Sequence, residues 1–253
     1  MARQLIRMLQ TVACWGLLTP VIAGEFVVSP IRLDLGPGSR SGAITVRNEG
    51  TEKIGFQLEA MEWQQDASGQ DQYLETRELV FFPKIMTVEG GQEGLIRIGT
   101  KMPVVQTEKT YRLFIQEMPG PTKEPEQAKA GKAQVNFLIR FGAPIFVAPV
   151  QPQDGLTVDS LSVVNSAVSL SARNSGNRHQ VIQGVSLKGA DAAGNEVYAS
   201  TLADRYLLSG TTKSFSATIP PAQCVRVASL SVEIKTDKQS AARRLDVNPS
   251  MCR

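Results

Sequence analysis

Histidine occurs once in these 253 residues and cysteine three times, which removes most of the chemistry those side chains support. The lone imidazole, His179, sits in a turn with Asn174 and Asn177. There a structural or surface role is the ordinary reading and a solitary general base is not. The chain has no Gly-x-Ser-x-Gly elbow, no phosphate-binding loop and no HExxH motif. One histidine with Cys224 and Cys252 cannot complete a four-ligand structural zinc site. An enzyme, a metal site and a cofactor are therefore not expected.

Acidic residues are missing from the first 24 positions, where Arg3 and Arg7 precede the apolar stretch 12–23. That order reads as a secretory signal, cleaved after Ala23 or Gly24. The stretch is too short to cross a bilayer comfortably, and no later segment is apolar over the roughly 18 residues a span requires. The alternative, a buried N-terminal helix, needs polar residues on one face, and Cys14-Trp15-Gly16-Leu17-Leu18 supplies none. Without residues 1–24 the chain keeps near-balanced charge, which excludes a strong global field for nucleic acid. Cys14 leaves with the leader. In an oxidising compartment Cys224 and Cys252 are expected to form a disulfide in preference to two free thiols.

Sustained helical periodicity is also lacking. Short apolar runs are separated by turn signals such as Gly36-Pro37-Gly38, Asn48-Glu49-Gly50, Gly90-Gly91 and Asn174-Ser175-Gly176-Asn177. They predict strands near 26–34, 43–48, 54–63, 79–88, 94–99, 110–117 and 134–148. A second series falls near 156–163, 167–173, 180–188, 195–199, 205–208, 212–218, 226–235 and 244–247. Two sandwiches of about 100 residues each fit this length. The boundary falls at 149–155, where Pro149, Pro152 and Gly155 disfavour a strand, giving domains over 25–148 and 156–253. Pro119 to Lys132 has hardly any apolar side chains and reads as a long loop before the last strand of the first domain. On that strand Val135, Phe137, Ile139 and Phe141 share one face at period two. Read alone, the face either packs its own core or stands at an open edge.

The stretch Phe81-Phe82-Pro83-Lys84-Ile85 through Gly90-Gly91-Gln92-Glu93-Gly94-Leu95-Ile96-Arg97-Ile98-Gly99 resembles the first-domain motif of PapD-like pilus chaperones. Trp63 at the end of a strand, Tyr111 to Pro119 before the long loop, and the turn Asn174 to His179 are similar in the same order. The wording of the arginine-bearing strands and the asparagine turn is closer to the archaic or alternative branch. The resemblance implies an all-β fold of two immunoglobulin-like sandwiches set at an angle around a cleft, and a periplasmic protein. It also implies that Val135, Phe137, Ile139 and Phe141 are donated to an unfinished pilin by strand addition. Two basic residues of the cleft would hold the pilin's terminal carboxylate, bidentately where they are arginines. Arg32 matches the first; Pro144 occupies the position of the expected lysine, and Arg140 or Arg97 would substitute. The implied partners are pilus subunits and an outer-membrane usher, and a self-capping homo-oligomer of the free chain is compatible with the same strand. The alternative is an exported two-domain adhesin or other binding module.

Overall fold

Alternation of apolar and polar residues carries through most of the expected strands, and each becomes half of a two-sided sheet. The computed structural model describes residues 26–66, 68–101, 105–120 and 137–253. The expected leader and Val135 lie outside the described residues. The first unit contains β1 (Phe26–Ser29), β2 (Leu33–Leu35), β3 (Ser41–Asn48), β4 (Ile54–Gln65), β5 (Asp71–Glu75), β6 (Leu79–Phe82), β7 (Ile85–Val88), β8 (Glu93–Thr100), β9 (Lys109–Glu117) and β10 (Arg140–Val147). One sheet has the order β1-β3-β8-β6; the other runs β2-β10-β9-β4-β5, with β7 also on β4. All pairs are antiparallel except β2 with β10. Ile44, Val46, Ile96 and Ile98 from the first sheet meet Phe56, Leu58, Leu113, Ile115 and Ile145 from the second in one core. Burying each such side chain is worth about 1.5–3 kcal/mol.

Two expected strands are each divided. The segment 26–34 breaks at Pro30 and 79–88 at Pro83, both after cis peptide bonds, and in each case the chain passes from one sheet to the other. Proline cannot donate to a ladder, so a strand that contains one ends or changes partner there. The expected strand 134–148 is described as a strand from Arg140 onward.

The second unit contains β11 (Leu156–Val164), β12 (Ala167–Asn174), β13 (Gln180–Ala190), β14 (Glu196–Leu202), β15 (Tyr206–Leu207), β16 (Thr212–Thr218), the short helix α1 (Pro221–Cys224), β17 (Ser229–Thr236) and β18 (Ser240–Asp246). Sheet β11-β12-β16 faces sheet β14-β13-β17-β18, with β15 also on β13. Leu161, Val163, Val168 and Leu170 pack against Val185, Leu187, Leu230, Val232 and Ile234. Cys224 and Cys252 are joined in a disulfide. Between the units, residues 148–155 carry no strand.

Each sandwich holds a fully buried asparagine at the end of a strand. Asn48 accepts from Gly50 N at 2.9 Å and donates to the carbonyls of Glu52 at 2.7 Å and Val88 at 3.0 Å. Asn174 repeats the arrangement with Gly176 N, Arg178 O and Leu207 O at 3.0, 2.8 and 3.0 Å. One amide thus satisfies three backbone groups that the turn leaves without ladder partners. Asn48→Ala and Asn174→Ala are each expected to cost about 2 kcal/mol, because the groups left behind stay buried. Urea unfolding of each variant measures this, and midpoints equal to wild type would refute it.

Candidate functional site

β10 is the strand to follow outward from the core. Its alternate residues Phe141, Ala143, Ile145 and Val147 point inward, and Phe141 is the outermost that still packs against the core. The same face continues at Ile139 and Phe137, where the described residues cover it progressively less: Ile139 is 40% and Phe137 84% exposed. The backbone is nonetheless held in line, since Glu117 N donates to Ile139 O at 2.9 Å and Ile139 N reaches the Glu117 carboxylate at 3.3 Å. Large apolar side chains therefore stand on an extended backbone beyond the edge of their own core. Exposure of this kind marks an interaction surface.

The other face of β10 carries charge. Pro144 pairs with Arg112 of β9, and Ile145 pairs with Leu33 of β2, which brings Arg32 level with Pro144. Arg32 and Arg112 thus flank the proline on one row, two strand spacings or about 10 Å apart. Pro144 itself is buried between them and brings no charge. Arg32 is half-exposed, with its Nε 3.0 Å from Asp34. Arg112 lies deeper: its guanidinium carbon is 4.0 Å from the centre of the Trp63 ring and it donates to Gly142 O at 3.0 Å. Asp71 is its nearest carboxylate, at 3.8 Å. The buried Arg112 Nε and Trp63 Nε1 have no acceptor among the described residues.

Arg97 and Arg140 do not join this row. Arg97 is on β8 in the opposite sheet, paired across from Phe82. Arg140 is at the far end of β10, 2.9 Å from Glu59 and stacked over Phe114 at 3.9 Å. The basic residue beside Pro144 comes from the neighbouring strand, a relation of register that no spacing along the sequence displays. A hairpin alignment of Tyr111–Glu117 against Arg140–Val147 would have found it.

One step further along β10, Phe146 enters a cluster with Trp63, Tyr206 and Leu208 that joins the two units. His179 stacks on Phe146 with ring centres 3.6 Å apart. The Glu108 carboxylate receives His179 N at 2.9 Å and lies 2.8 and 2.9 Å from its Nδ1. Both side chains are enclosed, 3% exposed for Glu108 and 9% for His179. The Gln65 side chain donates to Tyr206 O and accepts from Leu208 N. Asn177 bonds to Gln106, Gln151 and Gln153. Arg178 makes two 2.7 Å bonds to Asp154, which hold that carboxyl below the usual carboxylate range.

These features can be set beside known proteins. The family model described as pili and flagellar-assembly chaperone, PapD N-terminal domain, matches residues 25–153. No curated protein sequence matches the chain. Among solved structures, it is similar to a chain of the CsuC–CsuE chaperone–tip subunit complex from the archaic Csu pili of Acinetobacter baumannii. Identity is 17%, covering 87% of this chain and 98% of that one, with a TM-score of 0.59. The complex of SafA pilin with the SafB chaperone from Salmonella enterica matches at 13% identity, 88% and 97% coverage and a TM-score of 0.55. The CupB2 chaperone of Pseudomonas aeruginosa matches at 16%, 88% and 100%, with a TM-score of 0.51. Identities this low establish the shared fold, of two β-sandwiches; the family follows from the sequence match over half the chain. By that match, the chain belongs to the PapD-like pili and flagellar-assembly chaperones.

Proposed function

We propose that this chaperone works in the periplasm, where it lends the strand that leads into β10 to a pilin whose own sandwich lacks one. The observation that carries the reading is the bare apolar face at Phe137 and Ile139, continuous with a face that is covered at Phe141. A pilin groove lined with core side chains and unpaired backbone would accept both the side chains and the ladder bonds of such a strand. Val135 would extend the same face, while Phe141 serves its own core. The loaded complex would pass its subunit to an outer-membrane usher, and a second copy of the chain would shield the strand when no subunit is present.

Arg32 and Arg112 are proposed as the two anchors of the pilin's terminal carboxylate. A carboxylate beside Pro144 would meet a guanidinium from either side. The test is pull-down of a pilin subunit with and without its last three residues. Arg32→Ala and Arg112→Ala should each weaken capture of the intact subunit by one to two decades, the value of a charge-assisted contact of roughly 1.5–3 kcal/mol. The truncated subunit should be indifferent to both changes. Equal losses for both subunits would remove the anchor role, and Arg140→Ala is expected to be neutral throughout.

A further inference from the structure

We infer that the free chain stores its donor segment on a second copy of itself, in an apolar groove on the outer face of the sheet β1-β3-β8-β6. The inference rests on the functional reading above and adds where the shielding copy takes hold. In that sheet Phe82 pairs with Arg97 and Arg97 with Ala43, while Val80 pairs with Gly99 and Gly99 with Ser41. The small residues Ser41, Ala43 and Gly99 make a low floor. Val80, Phe82 and Leu95 stand around it, and the groove has a volume of about 540 Å3. Phe82 is 74% exposed, and Val80 and Leu95 are half-exposed. Three large apolar side chains around one depression mark an interaction surface. β6 is also the last strand of its sheet, so it offers unpaired backbone along the rim.

Apolar side chains on an extended backbone are what such a site takes, and the chain carries them at Phe137 and Ile139. Charge agrees with this occupant. Arg97 is the one charged side chain among the described residues that line the groove. The donor segment brings a carboxylate, that of Glu117 at 3.3 Å from Ile139 N, whereas Arg140 is already matched by Glu59. One copy cannot close this contact on itself. β10 adjoins β2 at one edge of the sandwich, and the groove opens at β6, at the far end of the opposite sheet from β1. Three strand spacings, about 14 Å, separate β1 from β6, and residues 137–139 span at most about 10 Å. The contact is therefore head to tail, the donor of one copy on the groove of the next, and not a two-fold pairing of donor with donor. So small an interface is weak and reversible, with a dissociation constant on the order of 10–100 µM. A pilin groove displaces it.

The experiment is sedimentation velocity of the chain from about 1 µM to about 200 µM, a range that brackets the expected dissociation constant. Wild type should be monomeric at the low end and associated at the high end, and added pilin subunit should convert it to one-to-one complexes. Phe137→Asp removes the donor and Leu95→Lys removes the groove, so each alone should stay monomeric. Their equimolar mixture should give a heterodimer that grows no further. Should Leu95→Lys fail to fold, Arg97→Glu, at an exposed position, takes its place with the same expected results. A groove variant that still associates points to donor-on-donor pairing and overturns the inference, as does a mixture without heterodimer. So does a wild type that stays monomeric; if Leu95→Lys then loses only transfer of its subunit to the outer membrane, the groove serves another protein. Pilin capture separates this inference from the functional reading. Leu95→Lys should hold the subunit at least as tightly as wild type, because no second copy competes for its strand. If wild type captures no subunit, the functional reading fails, and the mixing result alone still decides self-association.

Discussion

A chain carrying Phe137→Asp is expected to melt with the wild-type protein and to hold no pilin subunit. The side chain is 84% exposed and absent from the core cluster of its sandwich, so the exchange falls among surface changes worth within about 0.5 kcal/mol. In the complex the same carboxylate would have to enter an apolar groove without a partner. That costs several kcal/mol, on the order of 3–5, or two to four decades of affinity. Ile139→Lys should act in the same way, with a smaller loss if Glu117, beside its backbone, pairs with the new ammonium. Phe141→Asp is the control, because that side chain packs on its own core and its replacement should lower stability directly. Calorimetry paired with subunit pull-down separates the cases. A Phe137→Asp protein that folds and still captures pilin would end the donor reading.

Loss of the disulfide should be the largest single stability effect. Cys224, at the end of α1, and Cys252, next to the C-terminus, are 28 residues apart in sequence and both buried. Closing a loop of that size restricts the unfolded chain by roughly 3 kcal/mol. For a sandwich of about 100 residues this corresponds to a fall in Tm of roughly 12–24 °C. The bridge also fixes the final turn, where Met251 O accepts from Ser166 N and Cys252 O accepts from the Ser166 hydroxyl. A Cys224→Ala/Cys252→Ala protein melted beside wild type tests this, and a shift under a few degrees would show that packing alone secures the tail. Reduction of the wild-type protein under mild denaturant should give the same shift.

The strands legible in sequence are those with one buried face, such as Ser41–Asn48 and Glu93–Thr100, where alternation of side chains is the signal itself. β5 carried no signal because all five of its residues are exposed; it exists through its pairing with β4. The breaks at Pro30 and Pro83 are masked by apolar residues that continue on both sides, although the prolines themselves mark the change of sheet. Arg32, proposed as one anchor, is legible from its own short motif. Arg112, proposed as the other, is not, because its place depends on which residue of β10 it stands beside. The Glu108–His179 contact was equally hidden: the two are 71 positions apart, and only docking of the two sandwiches brings them together.

The junction between the sandwiches is stitched at the level of backbone. Asn177 ties the connecting segment to both units. Gly176 sits so close to it that a methyl group there would lie 2.4 Å from Gln153 O and 2.8 Å from Gly155 N. Such crowding restricts the hinge. If the cleft thereby keeps its shape before any subunit arrives, association forfeits little chaperone conformational entropy. The ordering cost falls instead on the incomplete pilin, so differences in capture rate among subunits should reflect how far each has folded.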